Sequence, residues 1–248
     1  MSLMTNAFIL PLIGTASLLT AGGAAIYYAT YVVRSQWLGR TDWRGRSDTG
    51  AVALTFDDGP SVDTDRILDV LAKHNTRATF FMIGRHVEQL PHTARRVAIE
   101  GHEVGNHSYS HPIYLYRSAR ETRRQLEKAQ AMITETTGVC PKLARPPCGV
   151  RTPAYFKAAR GLDLRTVQWD VAGFDWKRRG AEEIARDVLN GARAGSIILL
   201  HDGDSDGKQD RRATVAALPL IIEGLHERGL RIVPLAELLT DSEVKLAA

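Results

Sequence analysis

The sequence predicts an α/β fold of parallel strands covered by helices, preceded by one N-terminal transmembrane helix. Three observations carry this. From Thr49 onward, short β-rich runs alternate with longer amphipathic ones, roughly one strand every 29 residues. Capping residues and glycines punctuate the amphipathic runs where helices would start and stop. No Asp, Glu, Lys or Arg occurs before Arg34. The composition, 44% hydrophobic and 24% charged with 21 Gly and 10 Pro, excludes a disordered, collagen-like or coiled-coil chain. The net charge of +4 and the lack of any Lys/Arg run argue against a nucleic-acid partner. Two cysteines exclude a disulfide-dense scaffold and a zinc site of four thiolates.

The uncharged stretch Ala7 to Val33 is long enough as a helix to rise roughly 40 Å, more than a hydrocarbon core of about 30 Å. Tyr27, Tyr28 and Tyr31, then Trp37 and Trp43, suit an interfacial aromatic belt. A cleaved signal peptide would need a basic n-region and a shorter apolar part. A soluble core helix so uniformly apolar would need burial on all sides. The reading is therefore a membrane anchor over residues 1–48, spanning about 7–33, with Arg34 to Asp48 as a polar tether, followed by one folded domain over 49–248. Arg34, Arg40, Arg44 and Arg46 after the span favour a cytoplasmic domain by the positive-inside tendency, which large domains can override.

Seven strands are expected, at Ala51–Phe56, Ala78–Ile83, His102–Asn106, Leu143–Arg145, Arg165–Trp169, Ser196–Leu200 and Leu230–Val233. Between them, Ile67, Leu68 and Leu71 give a helical apolar face, and Ser118 to Glu121 has capping-box spacing with Gly138 as the stop. Gly101, Gly161 and Gly229 sit where C-terminal caps belong. The pattern fits an open doubly wound sheet or a barrel, and no G-x-G-x-x-G follows the first strand to support a dinucleotide fold.

The residues suited to chemistry follow the strands. Strand ends are succeeded by Thr55-Phe56-Asp57-Asp58-Gly59-Pro60, His107-Ser108-Tyr109-Ser110-His111, Arg145-Pro146-Pro147-Cys148-Gly149, Asp170 leading to Asp175-Trp176, and His201-Asp202. In parallel α/β folds that edge is where active sites are built. His107 and His111, at i and i+4, would point the same way from one helical turn and share a metal with one carboxylate. Asp57 and Asp58 would point to opposite sides of a continuing strand, one ligating and the other free for other work. Asp202, Asp204, Asp206 and Gly207 mimic a calcium loop, but position twelve would be Ala213, so a solvated loop is the better reading.

In order, these five segments resemble the five motifs of the NodB-like polysaccharide deacetylases, carbohydrate esterase family 4, over roughly residues 51–239. The resemblance implies a distorted (β/α)7 barrel, the NodB homology domain, and metal-dependent hydrolysis of the N-acetyl group of an amino sugar in a peptidoglycan- or chitin-like glycan, releasing acetate. It further implies that Asp58, His107 and His111 bind one divalent ion, zinc by expectation, with cobalt, manganese, nickel or iron as alternatives. Asp57 would be the base, oriented by Arg145; His201 would be the acid, held by Asp175. The Cys148 N–H would face the oxyanion, and Trp176 and Leu199 would shape the acetyl pocket. An aromatic residue is common where Cys148 stands, so the glycan groove here lacks a ring. The expected partners are an N-acetylated glycan and, through the N-terminal helix, a membrane, with the domain outside the cytoplasm.

Three other readings compete. A deacylase or deformylase of a lipid-linked sugar, or an O-acetyl esterase, would use the same machinery. A non-haem Fe(II) oxygenase shares the two-His, one-carboxylate set but has no use for Asp57, Arg145 and His201 together. An inactive glycan-binding module would not keep competent residues at every position. Cys140 and Cys148 are close enough to raise a disulfide, with two reduced, buried thiols as the plainer expectation.

Overall fold

A computed structural model describes residues 22–240. Its centre is β1 (Ala51–Asp57), buried along its whole length, as a strand covered on both faces must be. Alternation sorts its side chains. Val52, Leu54 and Phe56 enter the core beneath the helices, whereas Ala51 and Ala53 enter a second cluster with Phe81, Leu143, Val167 and Ile197. Thr55 and Asp57 share that second face, so the reactive end of β1 points into the concave side of the sheet.

Every paired strand is parallel. The other strands are β2 (Thr79–Met82), β3 (Glu103–Asn106), β4 (Leu143–Ala144), β5 (Arg165–Thr166), β6 (Val171–Ala172), β7 (Ile197–His201) and β8 (Arg231–Ile232). They lie in the order β5-β4-β3-β2-β1-β7-β6, with β8 on the first residues of β1. Two features correct the expected seven-stranded barrel. Among the described residues there are eight strands, and the path runs from β5 to β6 without closing, which makes a half-barrel. The run expected over Arg165–Trp169 breaks after Thr166: Val167 bridges to Asp42, and the Asp170 carboxylate caps the Ser196 hydroxyl and the Ile197 N–H at the bend before β6.

Helices close the convex face. In α2 (Val62–Lys73), Ile67, Leu68 and Leu71 are buried as expected, and the Ser61 Oγ accepts from the Asp63 N–H at the N-cap. The longest, α5 (Ala119–Thr137), starts at Ser118, whose Oγ accepts from the Glu121 N–H, and stops at Gly138 with φ 75°. Gly101 and Gly229 also take the left-handed conformation after helices. Gly161 does not; it is the last residue of α6 (Pro153–Gly161) and is followed by the C-cap Leu162. The remaining helices are α3 (Gly84–Gln89), α4 (Pro91–Ile99), α7 (Ala181–Gly191), α8 (Arg212–Glu227) and α9 (Leu235–Leu238).

Of the expected span 7–33, residues 7–21 lie outside the described residues. Residues 22–31 form a helix, α1, and no helix among the described residues is long and apolar enough to cross a membrane. The segment read as a polar tether is laid along the domain. Asp42 pairs with Arg165 and extends the sheet, the Arg44 Nη2 donates to the Ala194 carbonyl at 2.9 Å, and the Gly45 N–H donates to Gly195. Ser35 and Thr41 are buried. Polar residues hid this docking, because apart from the Asp42–Arg165 pair the contacts named are to backbone edges that any side chain leaves available.

Candidate active site

The sheet brings all five segments to one edge. Asp57 ends β1, and its register partner on β7 is His201, so two strands place these side by side. The chain then turns at Asp58, whose φ of 73° ends the extended run. This corrects the opposite-sides expectation: both carboxylates face His107, whose Nε2 lies 3.8 Å from Asp57 Oδ2 and 3.4 Å from Asp58 Oδ1. Gly59 is required next, because a Cβ there would collide with the Asp202 carboxylate.

His107 and His111 converge, with ring centroids 5.0 Å apart, but from a loop and not from a helix. The Asn106 Oδ1 accepts from the Ser108 N–H, the Ser108 Oγ accepts from the His111 N–H, and Ser108 and His111 both take positive φ. These bonds fold the segment tightly enough to bring the His111 Nε2 within 3.2 Å of Asp58 Oδ1. The His107 Nδ1 meets the Arg145 carbonyl at 2.7 Å, which fixes the ring and turns Nε2 toward the carboxylate. Asp58 Oδ1 is buried and has no hydrogen-bond partner among the described residues. An orphaned carboxylate oxygen with two imidazole nitrogens beside it fits a divalent cation, and Asp58, His107 and His111 form the one such ligand group found among the described residues. Burial works against the ionised Asp58, yet His107 and His111 hold its carboxyl below the usual range. Burial pulls His111 down to about 4, which favours the neutral ring a metal needs.

Arg145, fully buried at the end of β4, donates from Nη1 to Asp57 Oδ1 at 2.7 Å and to the Thr55 Oγ1 at 2.8 Å. Its Nη2 donates to the Gln168 carbonyl, and its guanidinium lies over the Phe81 ring at 4.2 Å. Asp57 is thus held by one oxygen, leaving Oδ2 on the His107 side. Across the site, Asp175 Oδ1 meets the His201 Nδ1 at 2.8 Å, while Oδ2 accepts from the His201 N–H and from the Thr214 Oγ1. Burial alone would lower His201, but the Asp175 charge outweighs it and raises the imidazole to about 9. Trp176 stands edge-on to that ring at 5.3 Å, and Leu199, two residues before His201, shares its face of β7.

Cys148 lies at the rim with φ 54°. Both cysteines are free and both are exposed, so the reduced state stands and the buried placement is corrected. The solvated-loop reading of 202–207 fails at Asp202, which is buried, bonded to the Thr64 Oγ1 at 2.6 Å and raised by burial to about 7. Three supporting residues went unread, Gln168, Thr214 and Arg211, and a fourth, His86, was read only as a surface or satisfied core histidine. Gln168 bridges Arg145 and the Gly149 carbonyl; Thr214 and Arg211 hold Asp175, the latter through its carbonyl; His86 Nδ1 meets the Asp58 carbonyl at 2.8 Å. The one signal was the apolar neighbourhood of Gln168, between Val167 and Trp169, and of Thr214, between Ala213 and Val215; Arg211 had none.

An Asp-His-His group beside a paired carboxylate and a carboxylate-held imidazole, at the C-terminal edge of a parallel sheet, defines a metal-dependent hydrolase. The polysaccharide deacetylase profile matches residues 44–167. The peptidoglycan-N-acetylglucosamine deacetylase of Bacillus cereus is 38% identical over 200 residues, covering 80% of this chain and 72% of that one. The chitooligosaccharide deacetylase of Sinorhizobium fredii is 42% identical over 200 residues, covering 75% and 92%. The solved Bc1960 peptidoglycan N-acetylglucosamine deacetylase superposes with a TM-score of 0.77 at 37% identity, covering 82% of this chain and 94% of that one. The chain belongs to the polysaccharide deacetylase family and is a hydrolase of carbon–nitrogen bonds other than peptide bonds. BA3943 of Bacillus anthracis, described as a pseudoenzyme of the same family, also superposes, with a TM-score of 0.73 at 33% identity, covering 80% and 68%. Site residues, not the shared fold, therefore decide activity.

Proposed function

We propose that this chain removes the acetyl group from N-acetylglucosamine units of a peptidoglycan- or chitin-like glycan. The observation that carries it is the pair of separately braced groups beside the Asp58-His107-His111 cluster: Asp57 on Arg145 and His201 on Asp175. The names of the relatives supply the glycan.

Asp58, His107 and His111 would hold the cation, and their N/N/O donor set suits zinc. When bound, the ion supplies Lewis-acid polarisation of the acyl oxygen and acidifies water. Asp57 takes a proton from the water that adds to the acyl carbon, using the oxygen that Arg145 leaves free. The Cys148 N–H donates to the oxyanion. His201 gives its proton to the glucosamine nitrogen as the C–N bond breaks, so acetate and free amine leave. Leu199 and Trp176 border the acetyl methyl. The uncharged stretch 7–33 is the basis for a membrane anchor, and the site is proposed to lie outside the cytoplasm because such glycans lie there, against the positive-inside tendency of Arg34, Arg40, Arg44 and Arg46.

The test is acetate release from chitin oligomers and from peptidoglycan by the full chain with zinc; release from neither, with release of another acyl group from a different saccharide, would overturn the substrate. The pH profile checks the acid. Because Asp175 raises His201, the imidazolium persists up to about 9, so kcat should fall as pH rises through that value. Asp175→Asn removes the anion and should move the alkaline limb to lower pH; an unmoved limb would rule out His201 as the acid.

A further inference from the structure

Arg151 is fully buried three residues beyond Cys148, and among the described residues its guanidinium meets no carboxylate. Its donors go instead to the end of α1. Nη2 donates to the carbonyls of Val32 at 2.6 Å and Ala29 at 3.4 Å, Nη1 to Val33 at 3.2 Å, and the backbone N–H to Thr30 at 3.2 Å. The last carbonyls of a helix lack intrahelical partners and carry partial negative charge, so they can stabilise a buried cation in place of an acid, Val32 accepting here from the Ser35 N–H as well. Burial presses the Arg151 guanidinium below its ordinary value, which makes those carbonyls necessary to it.

The loop between Arg145 and Arg151 has a reason to be braced. Cys148 sits at φ 54° and ψ 17°, a left-handed conformation that a side chain with a Cβ disfavours and that persists only where the surroundings impose it. One end of the loop is fixed by Arg145 on Asp57 and by the Gln168 Nε2 on the Gly149 carbonyl. The other end is fixed by Arg151 on α1. The following chain reinforces it: Leu38 packs with Tyr155 and Phe156 of α6, and a Cβ on Gly39 would strike the Phe156 ring.

We infer that Arg151 is a positioning residue that latches the Cys148 loop to the N-terminal helix, making residues 22–45 part of the catalytic apparatus and not a spacer. The inference rests on the proposed role of the Cys148 N–H. It carries the latch to substrate only through that N–H, so its effect belongs in turnover and not in metal or glycan binding.

The test uses the full chain with Cys140→Ser, comparing Arg151→Met and Arg151→Lys with that parent. Two readouts are taken: kcat and KM on N-acetylglucosamine oligomers, and the rate at which a maleimide alkylates Cys148. Arg151→Met should lower kcat about tenfold, less than outright loss of an oxyanion donor, with KM and zinc content retained. It should also speed alkylation as the loop is released, and Arg151→Lys, which keeps the charge, should recover part of both. Unchanged kcat, or unchanged alkylation, overturns the latch even if the melting temperature falls. A parent inactive on every glycan refutes the deacetylase reading, while alkylation still judges whether Arg151 holds the loop.

Discussion

Asp57→Asn lowers kcat on the order of a thousandfold while the chain stays folded and keeps its zinc. Asparagine is nearly isosteric, and its Oδ1 can still accept from the Arg145 Nη1 that now sits 2.7 Å from Asp57. What it lacks is an oxygen basic enough to take a proton from water. The zinc ligands are untouched, because Asp58, His107 and His111 reach one another without Asp57. Kinetics on chitin oligomers together with zinc analysis of the same protein check this. Comparable turnover in the variant would remove Asp57 from the base role; loss of zinc would mean that Asp57 belongs to the ligand set.

Arg145→Met acts on the same pair from the other side and should cost stability as well as activity. Methionine fills much of the space beside Phe81 but strips the buried Asp57 carboxylate of its hydrogen-bonded guanidinium partner. Breaking one side of a buried pair costs about 3–5 kcal/mol. The His107 Nδ1 partner survives, since it is the Arg145 backbone carbonyl. Urea unfolding should show the loss, and the Asp57→Asn/Arg145→Met double variant should regain part of it, because no unpaired charge is left. A single-variant cost below about 1 kcal/mol would show that Asp57 needs no partner.

Much of the site was legible because its residues follow strands directly. The apolar run before Asp57 announces a central parallel strand, and parallel strands deliver their C-terminal residues to one edge. The i, i+4 spacing of His107 and His111 foretold convergence but not its means, since a loop folded by Asn106 and Ser108 achieves the same approach as a helical turn. Arg211 and Arg151 were illegible for another reason. An arginine that caps carbonyls in the interior has the same neighbours in sequence as one on a solvated loop, and only the fold decides which it is. The unclosed sheet was hidden likewise, because β5 and β6 are two residues each, too short to show a period.

The central claim is that one bound cation, Asp57 and His201 act together on an N-acetyl group. Stripping the full chain of metal and titrating zinc back while following acetate release from N-acetylglucosamine oligomers tests it most directly. Activity is predicted to be absent without metal and to rise to a plateau at one zinc per chain. Acetate release from the stripped chain at the full rate, or none at any zinc level, would contradict it.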